Sequence, residues 1–438
     1  MTHSARPLAC LTAACLLAVA AVTTAPAASA GTAAPTGGAT ATVIKGTPPG
    51  PVLSWHRTVA DDDRLEEYYA FSPSMRRQVP LFVMKPKNNS VPRPIVYVLN
   101  GGDGGEGVAN WLAQSDLIDF YRDKNVWVVM PMSGQFSYYT DWVEPNESLG
   151  GVQMWETFLT TELPAPMEQQ LGASSRRGII GMSMSATTTL LYAEHHPGFY
   201  DAVGSFSGCA ETSRGFPYEY VRLVLERGNA TPEQMWGPVG GERFNHNDGL
   251  LNAARLKETK HLYISSGTGL MGPHDIRWGT HKTGSMGLLN KVITGGLIEA
   301  GVNKCTHDLK ARTDQLGMTN IDYNFRPTGT HSWGYWQQDL VDSWPTFARA
   351  FGMDPQSPRT SSESGPAAVT AETVDSIWKA AAGADPHPVA RPGTTTAATG
   401  TGTGTETGTD SDPAGGTGAQ TDTDAETGAG EDSGRENR

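Results

Sequence analysis

A serine, a late histidine and a carboxylate, far apart in the chain, have the types and order needed for acyl-transfer chemistry. Ser183 lies in Gly181-Met182-Ser183-Met184-Ser185, between the apolar run Gly178-Ile179-Ile180-Gly181 and a helical pattern from Ser185 to His195. Strand, sharp turn and helix in that order form a nucleophile elbow, where small neighbours let strand and helix approach and the hydroxyl is exposed. Ser185 stands where such elbows usually carry a last glycine. The first N–H groups of the helix then face the oxyanion that develops on attack. A second donor is expected from the loop Leu99-Asn100-Gly101-Gly102-Asp103-Gly104-Gly105. Gly102 N–H and Met184 N–H are therefore the predicted oxyanion pair. The loop lacks the Gly-Lys-Ser/Thr of a phosphate-binding P-loop.

A serine needs a base that is neutral near pH 7, and histidine is the usual one. With a strand–elbow–helix serine the order is Ser, acid, His, so the base should come late. His331, in Gly329-Thr330-His331-Ser332-Trp333, follows an expected strand through Tyr323–Phe325. His274, His281 and His307 are less well placed. The acid should orient the imidazole and stabilise its cation. Asp275 follows the strand ending near Ile264, and Glu299 lies at the edge of an apolar helical stripe. The pattern leaves both open.

The elements that must position these groups read as one α/β domain over residues 43–355, of the α/β-hydrolase fold. Pro94–Leu99, Asn125–Met130, Gly178–Gly181, Ala202–Ser207 and His261–Ile264 are continuous apolar runs, as strands buried on both faces of a parallel sheet should be. Helical patterns at Asn110–Tyr121, at Ser185–His195 and through Ile298, Val302, Cys305 and Leu309 alternate with them. Residues 216–257 read as a helical insertion before the late strands, and no transmembrane segment is visible between the strands.

The ends differ from the middle. Residues 1–30 read as a secretory signal: Arg6, an uncharged apolar stretch Leu11–Val22, and the small-residue site Ala28-Ser29-Ala30. An uncleaved anchor is the alternative. A short linker is expected over 31–42 and another over 356–392. Residues 393–438 contain no aromatic and no branched apolar side chain, so they cannot offset the entropy of ordering and should form an acidic Gly/Thr-rich disordered tail. About half of the formal charge of −13 resides in that tail. No basic patch suggests nucleic acid as a partner. After cleavage only Cys209 and Cys305 remain of the four cysteines, which in an exported protein suggests one disulfide.

Several segments together resemble the antigen 85 and corynebacterial mycolyltransferase family. Pro131-Met132-Ser133-Gly134-Gln135-Phe136-Ser137-Tyr138-Tyr139-Thr140-Asp141-Trp142 is similar to that family's Ser-Phe/Tyr-Tyr-Ser/Thr-Asp-Trp segment. Gly181-Met182-Ser183-Met184 is similar to its nucleophile motif, and Thr330-His331-Ser332-Trp333-Gly334-Tyr335-Trp336 to its histidine motif. The resemblance implies Ser183, Glu299 and His331 as the triad and favours Glu299 over Asp275. It implies Gly102 and Met184 as oxyanion donors, and substrate contacts at Asn100, Asp103, Ser332 and Trp333. Asn100 and Asp103 replace the Asp and Arg of antigen 85, a departure closer to the corynebacterial branch. It also gives the cysteines a purpose: a Cys209–Cys305 bond would pin the acid-bearing helix against the sheet.

The implied activity is ping-pong transfer of a mycolyl group from trehalose monomycolate, through a Ser183 acyl-enzyme, to a second trehalose monomycolate or to cell-wall arabinogalactan. No metal or cofactor is expected, and the implied partners are trehalose mycolates, cell-wall glycan and the lipid surface of the outer envelope. One rival is a secreted carboxylesterase of the esterase D kind. The other is a non-catalytic surface protein that binds carbohydrate or matrix with the same fold.

Overall fold

The computed structural model describes residues 38–47, 53–276 and 291–355. The signal, the tail, the 356–392 linker and His281 lie outside the described residues. One sheet of nine strands runs through the domain in the order β1-β2-β3-β5-β4-β6-β7-β8-β9. These are β1 Thr42–Lys45, β2 Leu65–Ser72, β3 Arg77–Met84, β4 Ile95–Val98, β5 Trp127–Pro131, β6 Arg177–Met182, β7 Ala202–Phe206, β8 Leu262–Ser266 and β9 Ile321–Phe325. From β5 through β9 all pairs are parallel, while β1, β2 and β3 are antiparallel to their neighbours. Every residue of β4, β5, β7 and β8 is buried, the burial expected of strands covered by helices on both faces.

The antiparallel strands were not legible as apolar runs. Leu65–Ser72 carries Glu66 and Glu67, and Arg77–Met84 contains Pro80, a residue that argues against an inner strand. Pro80 is tolerated because the β3–β5 register begins only at Leu81, so its missing N–H falls where the ladder ends. Ala41, expected within the linker, is buried and donates its N–H to Glu162 O at 2.9 Å.

Four helices matter to the site: α1 Met184–His195, α2 Gly215–Glu226, α3 Gly296–Gln315 and α4 Trp333–Phe351. The expected helix over 110–121 is instead two short ones, Trp111–Gln114 and Leu117–Arg122. Asn110 caps the first, and Ser115 breaks it by returning its hydroxyl to Trp111 O at 2.6 Å. The insertion is helical as expected, in short pieces from Gly215 to Glu258. No helix among the described residues is long and apolar enough to cross a membrane.

Helix α1 is buried at every position except His195, because it packs on β6 and β7 and is covered on its outer side as well. That all-round burial takes Glu194 into the interior, where neither carboxylate oxygen has a hydrogen-bond partner. Burial, reinforced by the Asp248 carboxylate, pushes Glu194 well above its usual 4.5, so it is held as the neutral acid. The unfolded chain gives up that proton above about pH 4.5 and the folded chain does not, so this group's contribution to stability is full below that pH and falls as pH rises. Glu194→Met, unbranched and apolar, is expected to melt above wild type at pH 8. The gap should widen from pH 5 by at most about 1.4 kcal/mol per pH unit. A difference in melting temperature that does not change with pH refutes this.

Candidate active site

The elbow follows from contacts at three residues. A Cβ on Gly181 would lie 2.3 Å from Ser185 O, so only glycine lets the strand pass under the helix. Ser183 takes φ +56°, a strained value for a residue with a side chain, as the chain reverses from β6 into α1. Ser185 does more than fill the place of a glycine: its hydroxyl accepts from Met182 N–H at 3.0 Å and lies 3.4 Å from Leu99 O. It ties the elbow to the end of β4.

Met184 opens α1, so its N–H has no carbonyl one turn earlier to donate to. Gly102 N–H is aimed by its own peptide plane. Gly101 O accepts from Gly104 N–H at 3.0 Å, and in a trans peptide the N–H points opposite to the C=O. Gly104 has φ +68°, and a Cβ there would strike Gln135 N at 2.1 Å. The loop is braced by Glu106, whose Oε1 accepts from Ser133 Oγ, Gly134 N–H and Gln135 N–H at 3.2, 2.9 and 3.3 Å.

The expected sugar contacts divide. Asn100 is fully buried, accepts from Trp111 N–H at 3.1 Å and donates to Pro131 O at 3.3 Å, so it holds the loop. Ser332 is likewise buried and gives its hydroxyl to Asp275 at 3.1 Å. In this structure both side chains are bonded to protein groups and lie below the surface. Asp103 is half-buried and accepts from Gly107 N–H and Ala109 N–H. Trp333 is half-buried and packs edge-on against Trp111 and Trp336, 5.4 and 5.1 Å between centroids. Trp336 in turn meets the His331 ring at 5.0 Å.

The structure brings Ser183, His331 and Glu299 together. His331 Nε2 lies 2.7 Å from Ser183 Oγ, and Nδ1 lies 2.8 Å from Glu299 Oε2. Glu299 is on the buried stripe of α3 with Val302, Thr306 and Leu309, and is only 1% exposed. Its other oxygen accepts from Ser207 Oγ at 2.8 Å and Gly267 N–H at 2.7 Å, which fix the carboxylate in place. Asp275 makes no contact with the imidazole. His274 stacks edge-on against Tyr335, and His307 lies flat on Phe325.

Ser207 is absent from any motif reading. Its one local signal is backbone: at φ +56° it forms the turn after β7. Gly208 follows, where a Cβ would meet Ala186 Cβ at 2.5 Å, and Cys209 O accepts from Thr187 Oγ1 at 2.8 Å. Cys209 is bonded to Cys305 of α3. The tripeptide Ser207–Cys209 thus joins the nucleophile helix to the acid helix, gripping the first by packing and a hydrogen bond and the second by a hydrogen bond and a disulfide. The segment Gly134–Trp142 walls the other side, with Phe136, Tyr138 and Tyr139 at φ +51°, +54° and +47°. Its carbonyls are caught from α1, Tyr138 O by Thr188 Oγ1 and Tyr139 O by Tyr192 Oη. Asp141 in that segment accepts from Thr157 N–H and Oγ1, and burial pushes it up to about 6. Among the described residues no group of three or more His, Cys, Asp or Glu is placed to hold a metal ion.

Two outcomes are expected. Ser207→Ala removes one donor from a buried carboxylate, a bond worth about 1.5–3 kcal/mol, so kcat should fall roughly ten- to a hundredfold. A Ser207→Ala variant with wild-type kcat refutes the role. Cys209→Ser opens a cross-link between residues 96 apart, which on a chain-entropy account stabilises by up to about 4–5 kcal/mol. Its melting temperature and its activity should both drop. Retention of both under oxidising conditions overturns the tether.

The family model Esterase matches residues 72–347. The chain is 29% identical over 289 residues to diacylglycerol acyltransferase/mycolyltransferase Ag85A of Mycobacterium tuberculosis, covering 65% of this chain and 80% of that protein. It is 28% identical over 274 residues to diacylglycerol acyltransferase/mycolyltransferase Ag85B of Mycobacterium leprae, covering 61% and 79%. MPT51 of Mycobacterium tuberculosis has a similar fold, with a TM-score of 0.50 at 23% identity over 62% of this chain and 94% of that one. The chain therefore belongs to the esterase family, is similar to the antigen 85 mycolyltransferases, and is an acyl-transferring or ester-hydrolysing enzyme.

Proposed function

We propose that this enzyme transfers a mycolyl group from trehalose monomycolate to a sugar hydroxyl, with Ser183 as nucleophile, His331 as base and Glu299 as the orienting acid. The observation that carries the reading is the unbroken hydrogen-bond chain from Ser183 Oγ through both imidazole nitrogens to Glu299 Oε2, at 2.7 and 2.8 Å. Ser183 Oγ bonds to the ester carbonyl carbon as its proton passes to His331 Nε2. Glu299 stabilises the imidazolium without taking a proton. The C–O bond to trehalose then breaks and His331 protonates the leaving oxygen, which yields the acyl-enzyme. A hydroxyl of a second trehalose monomycolate or of cell-wall arabinogalactan repeats the steps in reverse.

Gly102 N–H and Met184 N–H are assigned to the oxyanion, and loss of one such donor typically costs about 3–4 kcal/mol. Trp333, half-buried beside the base, is assigned to the sugar, since an aromatic face packs on pyranose C–H groups. The secretory pattern of residues 1–30 supports an exported enzyme whose catalytic domain spans 43–355, followed by the linker and the acidic tail. The name of the matching family model favours the second reading, in which water replaces the sugar acceptor.

Purified protein incubated with trehalose monomycolate and resolved by thin-layer chromatography decides between them. Wild type should give trehalose dimycolate and Ser183→Ala none, a loss of about 10⁴-fold or more. Free mycolic acid as the sole lipid product identifies a hydrolase. No product from wild type, with trehalose or its esters still bound, identifies a binding protein.

A further inference from the structure

Asp275 stands where a generic serine hydrolase would carry its acid, yet it does not touch the base. It is 2% exposed, and its carboxylate is filled by groups from the protein. Oδ2 accepts from Gly272 N–H at 2.9 Å and Tyr335 Oη at 2.8 Å. Oδ1 accepts from Thr330 Oγ1 and from Ser332 Oγ, the latter at 3.1 Å. These four donors occupy both oxygens of the carboxylate. Thr330 and Ser332 are the two residues that flank His331.

This arrangement does not serve the helix that follows. Ser332 is the N-cap of α4, where a serine ordinarily accepts from an N–H of the first turn. Here no side-chain cap bond forms, and the hydroxyl is turned to Asp275. Burial and the adjoining Asp275 carboxylate push the Tyr335 hydroxyl upward, so it remains a donor. The backbone of His331 is held besides by its own N–H to Gly295 O at 3.0 Å. The imidazole is thus fixed from two directions. Glu299 holds the ring at Nδ1, while the Asp275 bonds hold the main chain on both sides of the Cα that carries it.

We propose that Asp275 is a positioning residue for the base: by anchoring Thr330 and Ser332 it keeps His331 Nε2 within hydrogen-bond reach of Ser183 Oγ. The proposal rests on the reading of Ser183 and His331 as nucleophile and base, and applies equally to transfer and to hydrolysis. A shift of about 1 Å in a catalytic group can cost on the order of a hundredfold in rate. Asp275 sets the rate of the chemical step and not the affinity for acyl ester or sugar, because the hydroxyls of Thr330, Ser332 and Tyr335 are taken up by its carboxylate.

The test uses the full-length enzyme and a p-nitrophenyl acyl ester, with kcat and KM measured separately and melting temperature recorded for each variant. Asp275→Ala is expected to lower kcat about thirty- to a hundredfold with KM within twofold of wild type. Asp275→Asn keeps one acceptor oxygen for Thr330 and Ser332 and should recover part of that loss. Should Asp275→Ala fail to fold, the Thr330→Val/Ser332→Ala double variant leaves the carboxylate with Tyr335 and Gly272. It should lower kcat tenfold or more at a melting temperature near that of wild type. Adding Asp275→Asn to the double variant should then lower kcat little further. The proposal is overturned by a double variant with kcat within twofold of wild type, or by a loss that appears in KM. His331→Ala serves as the control. If it is inactive while the double variant is unaffected, the positioning role alone fails; if it is active, the triad reading fails and the proposal with it.

Discussion

Everything near the catalytic edge of the sheet is subordinate to one imidazole that must hold two hydrogen bonds at once, 2.7 Å to Ser183 and 2.8 Å to Glu299. The three residues come from separate elements: the apex after β6, the buried stripe of α3 and the loop before α4. A hydrogen bond tolerates a few tenths of an ångström, so these elements have to be fixed relative to one another, not merely folded. The parallel strands supply the coarse alignment, since the loops leaving β4, β6, β7, β8 and β9 emerge at one edge. The finer alignment comes from short connectors: Ser185 to Leu99, Ser207–Cys209 between α1 and α3, and Asp275 to both neighbours of His331.

Three buried carboxylates show how differently one chemical problem is solved in this domain. Glu299 is useful because two donors occupy the oxygen that does not face histidine and leave the other to the imidazole. Asp275 is enclosed by donors from Gly272, Thr330, Ser332 and Tyr335 and works through the main chain. Glu194 has no partner and is kept protonated by burial. Residue type is the same or nearly so in all three; the number of donors in reach decides whether the group is an acid, an anchor or a destabilising passenger.

The sequence by itself determined the elements whose environment is uniform and the motifs whose spacing is local. Strands such as Trp127–Pro131 and Ala202–Phe206 were legible because burial on both faces leaves a continuous apolar run. The elbow around Ser183 was legible because Gly181 and the turn are contiguous, and His331 because the order of the triad places it late. Tertiary structure decided whatever depends on a partner distant in the chain. Sequence could not show that Asn100 and Ser332 turn inward, because a polar side chain near a motif has the same type whether it meets substrate or protein. Pattern alone left Asp275 and Glu299 equal and only the family resemblance favoured Glu299, whereas packing sets Glu299 against the imidazole and Asp275 against its neighbours. The pattern gave no sign of Ser207, whose acceptor lies 92 residues away on another element. Local chemistry is written in adjacent residues, whereas the position of a proton relay is a property of the packed whole.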